Sequence, residues 1–451
     1  MPPADIPLVH GHDRGSVFAY RERRPLGLDE FLRDTVRLAA RLPQRRHVLN
    51  LCADRYRFAV GFSAALLREQ VSLLPPNDTP DLIERLVALY PDVYCLTDGP
   101  APPVALETVF FPDAAGAGPG APAVPAVPET RVAAIVFTSG STGEPVPYPK
   151  TWGSLARSAR AEIDRLDTRR LPGMAVLGTV PPQHSYGLES TVLMAMQGGL
   201  AMHAGRPFYP ADIREQLASL PKPRCLVTTP VHLRVLLAEP DELPPADLLL
   251  CATASLAPQL AARAEARFNA PLFEIYGCTE AGQVATRRTV QSSEWRALPG
   301  IKLRTRGGRT WVHGGHVETE VLLTDVIEMR GREKFLLHGR TADLVNIAGK
   351  RTSLAHLNYQ LNSIEGVLDG VFVVPVQQGE AVARLMAFAV APGHTGETLM
   401  KALRQRIDPA FLPRPLCLVD VLPRNATGKL PRERLDRLAA GLGAAGEPGR
   451  P

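Results

Sequence analysis

The sequence predicts an α/β protein, with a large N-terminal domain of parallel-type sheets layered with helices and a small mobile α+β C-terminal domain. Two patterns carry that reading. From Arg131 to Gly277 short apolar runs alternate with amphipathic segments, as buried strands covered by helices do. Downstream of Arg340 the texture changes to a few strands around one helix. The expected division is therefore residues 1–339 and 340–451.

In chain order, a helix is expected near Leu28 to Leu42, a strand at His47 to Cys52 and a second helix near Arg57 to Glu69. Pro112 to Pro128, rich in Pro, Ala and Gly, reads as a surface connection. Strands follow at Val132 to Phe137, Met174 to Val180, Cys225 to Thr229, Leu248 to Ala254 and Leu272 to Tyr276. Between the first two, Trp152, Leu155, Ala159, Ile163 and Leu166 recur along one helical face, so this stretch reads as a β-α-β unit. The small domain should carry strands at Val371 to Val376, Leu385 to Val390 and Leu416 to Leu422, with a helix at Glu397 to Ile407. Its Gly- and Ala-rich tail from Ala439 is expected to fray.

Composition narrows the function classes. The chain is 45% hydrophobic and 22% charged, a globular balance. Its net charge is +5, from 51 basic and 46 acidic residues, and the basic residues are scattered, so no nucleic-acid role is indicated. A mildly basic surface suits anionic ligands. The cysteines form no C-x-x-C pair, which points to buried free thiols rather than zinc or disulfides. His10 with His12 and His313 with His316 lack a wider metal-ligand pattern. No apolar stretch reaches the roughly 18 residues of a membrane span, and the first residues lack a signal-peptide core, so a cytoplasmic location is expected.

Directly after the strand Val132 to Phe137 come Thr138, Ser139, Gly140, Ser141, Thr142 and Gly143, then Glu144-Pro145. Glycines let backbone approach an anion with several N–H groups pointing inward, and hydroxyls add donors. Such a loop can cradle phosphate, although the same composition also makes plain turns. It is not a Walker A loop, because no Gly-Lys-[Ser/Thr] closes it.

Further motifs follow in order: His184-Ser185-Tyr186-Gly187, Tyr276-Gly277-Cys278-Thr279-Glu280, Gly339-Arg340-Thr341-Ala342-Asp343 running on to Gly349-Lys350-Arg351, and Gly428-Lys429 before Arg432. With the loop, this series resembles the adenylate-forming superfamily of acyl-CoA synthetases, peptide-synthetase adenylation domains and luciferases. The resemblance implies an enzyme that uses ATP and Mg²⁺ to activate a carboxylic acid as acyl-adenylate and then transfers the acyl group to a pantetheine thiol. Attack of a carboxylate on the α-phosphate joins two anions, so such a site must neutralise charge and hold its partners in line.

The resemblance also implies roles. Residues 138–143 would bind phosphate. Glu280 would hold Mg²⁺, Thr279 would contact the α-phosphate, and Tyr276 with Gly277 would flank the adenine. Asp325, in Leu323-Thr324-Asp325, would hold the ribose hydroxyls, and a carboxylate can accept two such bonds. Arg340 would contact ribose or phosphate. Lys429 would reach into the site for adenylation, then withdraw as the small domain turns about a hinge near Gly339-Arg340, leaving Gly349 facing a thiol tunnel. Two departures stand out. Val146-Pro147-Tyr148-Pro149 separates the expected phosphate-binding lysine, Lys150, from Pro145, and Ala342 occupies a hinge position that often carries Asp or Lys.

The acid pocket would include His184, Tyr186, Gly187 and Ala254. Peptide-synthetase domains place an Asp beside the first of these to pair with a substrate amine; here the neighbour is Ser185, which disfavours amino acids. In length and in Pro182 to Glu189 the chain is most similar to the stand-alone hydroxybenzoate:acyl carrier protein ligases of aryl-polyene and xanthomonadin-type pigment clusters. That implies a hydroxybenzoate substrate and an acyl carrier protein partner. A general acyl-CoA synthetase for aromatic or medium-chain acids is the alternative, and a non-catalytic adenylate-binding domain the alternative of another class.

Overall fold

The computed structural model describes residues 4–112, 122–139, 145–340, 344–347, 350–374, 385–424 and 430–443. Two large sheets dominate. The eleven-stranded sheet has a parallel centre, running from Leu272–Cys278 through Leu248–Cys251, Arg224–Thr228, Ala175–Gly178 and Ala201–His203 to Val17–Arg21. Antiparallel strands extend both ends, including Gly282–Arg287 and the pair Asp325–Met329 and Lys334–Arg340. Central strands such as Arg224–Thr228 are buried along their whole length, as strands covered on both faces must be.

The six-stranded sheet runs from Pro145–Thr151 through Val132–Ser139, Val71–Leu74, His47–Asn50 and Val93–Thr97 to Thr108–Phe110. The two sheets sandwich helices. Arg55–Leu67 is apolar on nearly every side and buried from Arg55 to Leu66, the composition of a core helix rather than a surface one. Its Asp54 cap accepts the Arg57 N–H. The fully buried Arg55 guanidinium donates to the carbonyls of His203, Gly205, Gly178 and Val180, tying the ends of two parallel strands to this helix.

One expectation is corrected. Val132–Ser139 and Ala175–Gly178 do not form a β-α-β unit, because they lie in different sheets. The intervening helix Trp152–Leu166 is real, with Trp152, Leu155, Ala159, Ile163 and Leu166 all buried. It packs between the sheets, and an unexpected antiparallel strand, Pro145–Thr151, precedes it. The expected surface connection ends as a strand, Ala126–Pro128, paired with Asp5–Pro7.

Beyond Arg340 the chain forms a smaller α+β unit. Asp369–Val373 pairs antiparallel with Met386–Val390, which pairs parallel with Leu416–Leu418, and helices Leu354–Asn362 and Gly396–Arg404 accompany them. Cys52, Cys95, Cys225 and Cys251 are buried free thiols, and Cys278 and Cys417 are free and half-buried. Among the described residues no helix is long and apolar enough to cross a membrane.

Candidate active site

The C-terminal ends of the parallel strands open onto a cleft of about 2360 Å³ shared with the smaller unit. Open α/β sheets bind ligands at this edge. Its walls bring together Thr138, His184, Tyr186, Ala254, Tyr276, Gly277, Thr279, Glu280 and Asp325. The small unit contributes Ser353, His356, Asn358, Phe372, Leu430 and Pro431.

Tyr276 ends a buried strand, and its ring packs at 5.6 Å from Trp295 and 5.9 Å from Phe335. Its hydroxyl donates to Asp325 Oδ2 at 2.8 Å. Asp325 begins the strand whose antiparallel register sets it opposite Arg340. The backbone shifts register between Tyr276 and Gly277, and a Cβ at Gly277 would lie 2.4 Å from the Gly282 carbonyl. Only glycine allows that close approach.

On the facing wall, His184 Nδ1 accepts the Tyr186 N–H at 3.3 Å at the start of a helical turn. Tyr186 is buried, and its hydroxyl donates to the Thr228 carbonyl at 3.2 Å. Burial pushes its pKa well above the ordinary value, so the phenol stays protonated. Gly187 does not line the cleft: a Cβ there would collide with the Pro181 carbonyl at 1.9 Å, so glycine lets the turn pack. A π-helical segment, Leu188–Leu193, follows and aims Glu189 back toward the cleft.

Lys150 lies behind the wall rather than on it. Its ammonium donates to the main-chain carbonyl of Glu280 at 2.6 Å. Burial lowers its pKa, opposed mainly by Glu189. Glu189 in turn accepts Ser158 Oγ at 2.6 Å, and burial raises its pKa. Deeper still, Gln283 Nε2 donates to Glu162 Oε2 at 2.9 Å and Ser190 Oγ at 3.0 Å. Burial pushes Glu162 up to about 7 and His316 down to about 4. Sequence reasoning gave no role to Glu162, Glu189 or Gln283, because the burial of a polar side chain depends on what the fold packs over it.

The expected residues Gly140, Ser141, Thr142, Gly143, Ala342, Asp343, Gly349 and Lys429 lie outside the described residues. Ser139 ends its strand at the entry to the loop, and Arg340 ends Lys334–Arg340. The neighbouring Gly339 has φ +99°, and a Cβ there would meet Ala355 at 2.6 Å.

The donor set suits a magnesium–nucleotide complex. Among the described residues no cluster of three or more His, Cys, Asp or Glu could cage a metal. The Glu280 carboxylate lines the cleft together with Thr138 at the end of the loop strand. Mg²⁺ commonly takes one or two protein carboxylates and completes its shell with water and substrate phosphates.

A parallel sheet open at its carboxyl edge, a glycine-rich loop, a tyrosine–aspartate pair and a second unit closing over the cleft define a nucleotide-dependent ligase of the adenylate-forming class. The chain belongs to the AMP-binding enzyme family, which it matches over residues 37–309. It is 27% identical to the 4-coumarate–CoA ligase of Rhodobacter capsulatus over 281 residues, 61% of this chain and 67% of that protein. It is 24% identical to the 4-hydroxybenzoate–CoA/benzoate–CoA ligase of Rhodopseudomonas palustris over 439 residues, 87% of this chain and 79% of that one. The fold matches ATP-bound MatB from Rhodopseudomonas palustris with a TM-score of 0.78 at 18% identity, covering 95% of this chain and 97% of that one.

Proposed function

We propose that the enzyme activates 3- or 4-hydroxybenzoate with ATP and passes the acyl group to the phosphopantetheine thiol of an acyl carrier protein. The observation that carries the choice of acid is the pocket wall. The neighbour of His184 is the neutral Ser185 rather than an Asp, and His184, Tyr186, Ala254, Tyr276 and Gly277 frame one cleft. Flat aromatic and small residues suit a ring. Relatives named for 4-coumarate and 4-hydroxybenzoate support the same acid class.

In the first step a substrate carboxylate oxygen bonds to the α-phosphorus, and the bond to the bridging oxygen breaks to release pyrophosphate. Loop residues 138–143 and Thr279 bind the phosphates, Asp325 and Arg340 hold the nucleotide, and Lys429 neutralises the approaching anions. Glu280 would hold a Mg²⁺ ion, which would supply further charge neutralisation. The unit from residue 340 onward then turns about Gly339-Arg340, removing Lys429 and bringing Gly349 to the thiol tunnel. The thiol gives up its proton, sulfur bonds to the acyl carbon, and AMP leaves.

Both relatives are named as CoA ligases, which favours CoA as the second reading for the acceptor. The test offers benzoate, 3-hydroxybenzoate, 4-hydroxybenzoate and octanoate with either CoA or holo acyl carrier protein, and compares kcat/KM. A site that hydrogen-bonds a ring hydroxyl should reject benzoate strongly. Preference for octanoate with CoA would overturn the choice of acid and acceptor.

A further inference from the structure

The strand Pro145–Thr151 is an edge strand, which is where prolines are tolerated in a sheet. Its register with Val132–Ser139 sets Val146 opposite Thr138, Tyr148 opposite Val136 and Lys150 opposite Ala134. Alternation puts these three side chains on one face, with Pro147 and Pro149 on the other. The Lys150 ammonium of that face donates to the Glu280 main-chain carbonyl at 2.6 Å.

We propose that Lys150 positions Glu280, through its main-chain carbonyl, for the metal–nucleotide complex. Lys150 is thereby a positioning residue of the Thr279–Gly282 turn rather than a phosphate ligand. Its surroundings fit that task. It lines a small cavity with Ser154, Ser158, Glu189 and His316 and takes no part in lining the main cleft. Glu189, anchored by Ser158, supplies the negative charge a buried ammonium needs. The Pro-x-Pro spacing keeps the strand extended so that Lys150 stays on the Glu280 side.

This inference rests on the proposed role of Glu280 but not on the identity of the acid, so its test uses nucleotide alone. Calorimetry measures binding of a non-hydrolysable ATP analogue with and without Mg²⁺ to Lys150→Met and Lys150→Arg, with melting curves for each. The Lys150→Met protein should lose at least about fivefold in affinity for the magnesium complex while metal-free binding is unchanged, the scale of one charge-assisted hydrogen bond. Lys150→Arg, which keeps the donor and the charge, should recover part of the loss. Equal loss with and without Mg²⁺ would make Lys150 a phosphate ligand and overturn the positioning role. Unchanged affinity for the magnesium complex in a folded Lys150→Met protein would overturn it too.

Discussion

The hydroxyl of Tyr276 donates to Asp325 Oδ2 at 2.8 Å, joining the end of a parallel strand to the start of an antiparallel one across the cleft wall. One Asp325 oxygen is thereby oriented before any nucleotide arrives. Pre-orientation of this kind lowers the cost of ordering a binding group.

Replacing Tyr276 with Phe keeps the ring contacts to Trp295 and Phe335 and removes the bond to Asp325. Stability should fall by about 1 kcal/mol, the net worth of a hydrogen bond, and KM for ATP should rise by roughly threefold to tenfold with kcat less affected. Melting curves and pyrophosphate exchange at varied ATP would read both effects. An unchanged KM for ATP would detach Asp325 from nucleotide binding.

The buried acid behind the cleft gives a pH signature. Burial holds Glu162 at about 7, above its ordinary 4.5, so the folded state keeps a proton that the unfolded chain releases. Between these values the unfolded state binds fewer protons, so stability falls as pH rises from about 4.5 to about 7 and is flat beyond, as far as this group is concerned. Glu162→Gln removes the ionisation while leaving an acceptor for Gln283 Nε2. The variant should therefore gain on wild type between pH 5 and pH 8, by a few kcal/mol at most. Parallel melting curves that stay equally spaced across that range would refute a protonated Glu162.

The distribution of what sequence disclosed follows from what sequence encodes. Fully buried strands such as Arg224–Thr228 and Leu272–Cys278 announce themselves as apolar runs, and their predicted ends fall within two residues of the observed ones. Periodicity names an element but not its sheet, which is why Val132–Ser139 and Ala175–Gly178 were joined in a unit they do not form. The strand Pro145–Thr151 was hidden because prolines at Pro145, Pro147 and Pro149 read as loop, and only its edge position makes them compatible with pairing. Among the site residues, Tyr276 and Glu280 stand in a contiguous motif, whereas Asp325 acquires meaning only from its spacing to Arg340. Glu162 and Glu189 could not be singled out, because burial of an acid on a helix depends on what the fold packs over it.

The last prediction concerns the contact between the two units. Asp369 of the small unit accepts Arg424 Nε at 2.6 Å and Nη2 at 2.8 Å, and Arg234 of the large unit reaches it at 3.3 Å. Arg234 also donates to Asn362 at 3.4 Å, and Gln259 donates to the Ser363 carbonyl at 3.3 Å. Leu430 and Pro431, which follow Lys429 directly, line the same cleft as Tyr276 and Asp325, so this arrangement brings the lysine's neighbours to the nucleotide side. The Arg234–Asp369–Arg424 group therefore ties the small unit to the large one beside the cleft, the arrangement that the proposed adenylation step requires. Asp369→Asn removes the charge that both guanidiniums share and should slow acid-dependent pyrophosphate exchange by roughly threefold to tenfold, the effect of losing about 1 kcal/mol of domain coupling. Thioester formation from a supplied acyl-adenylate should be unchanged or faster, since in the proposed cycle the small unit leaves this arrangement for that step. Lys429→Ala provides the reference, with exchange abolished and the thioester step retained. Equal slowing of both half-reactions by Asp369→Asn would mean that the group stabilises the small unit itself and does not bias its orientation.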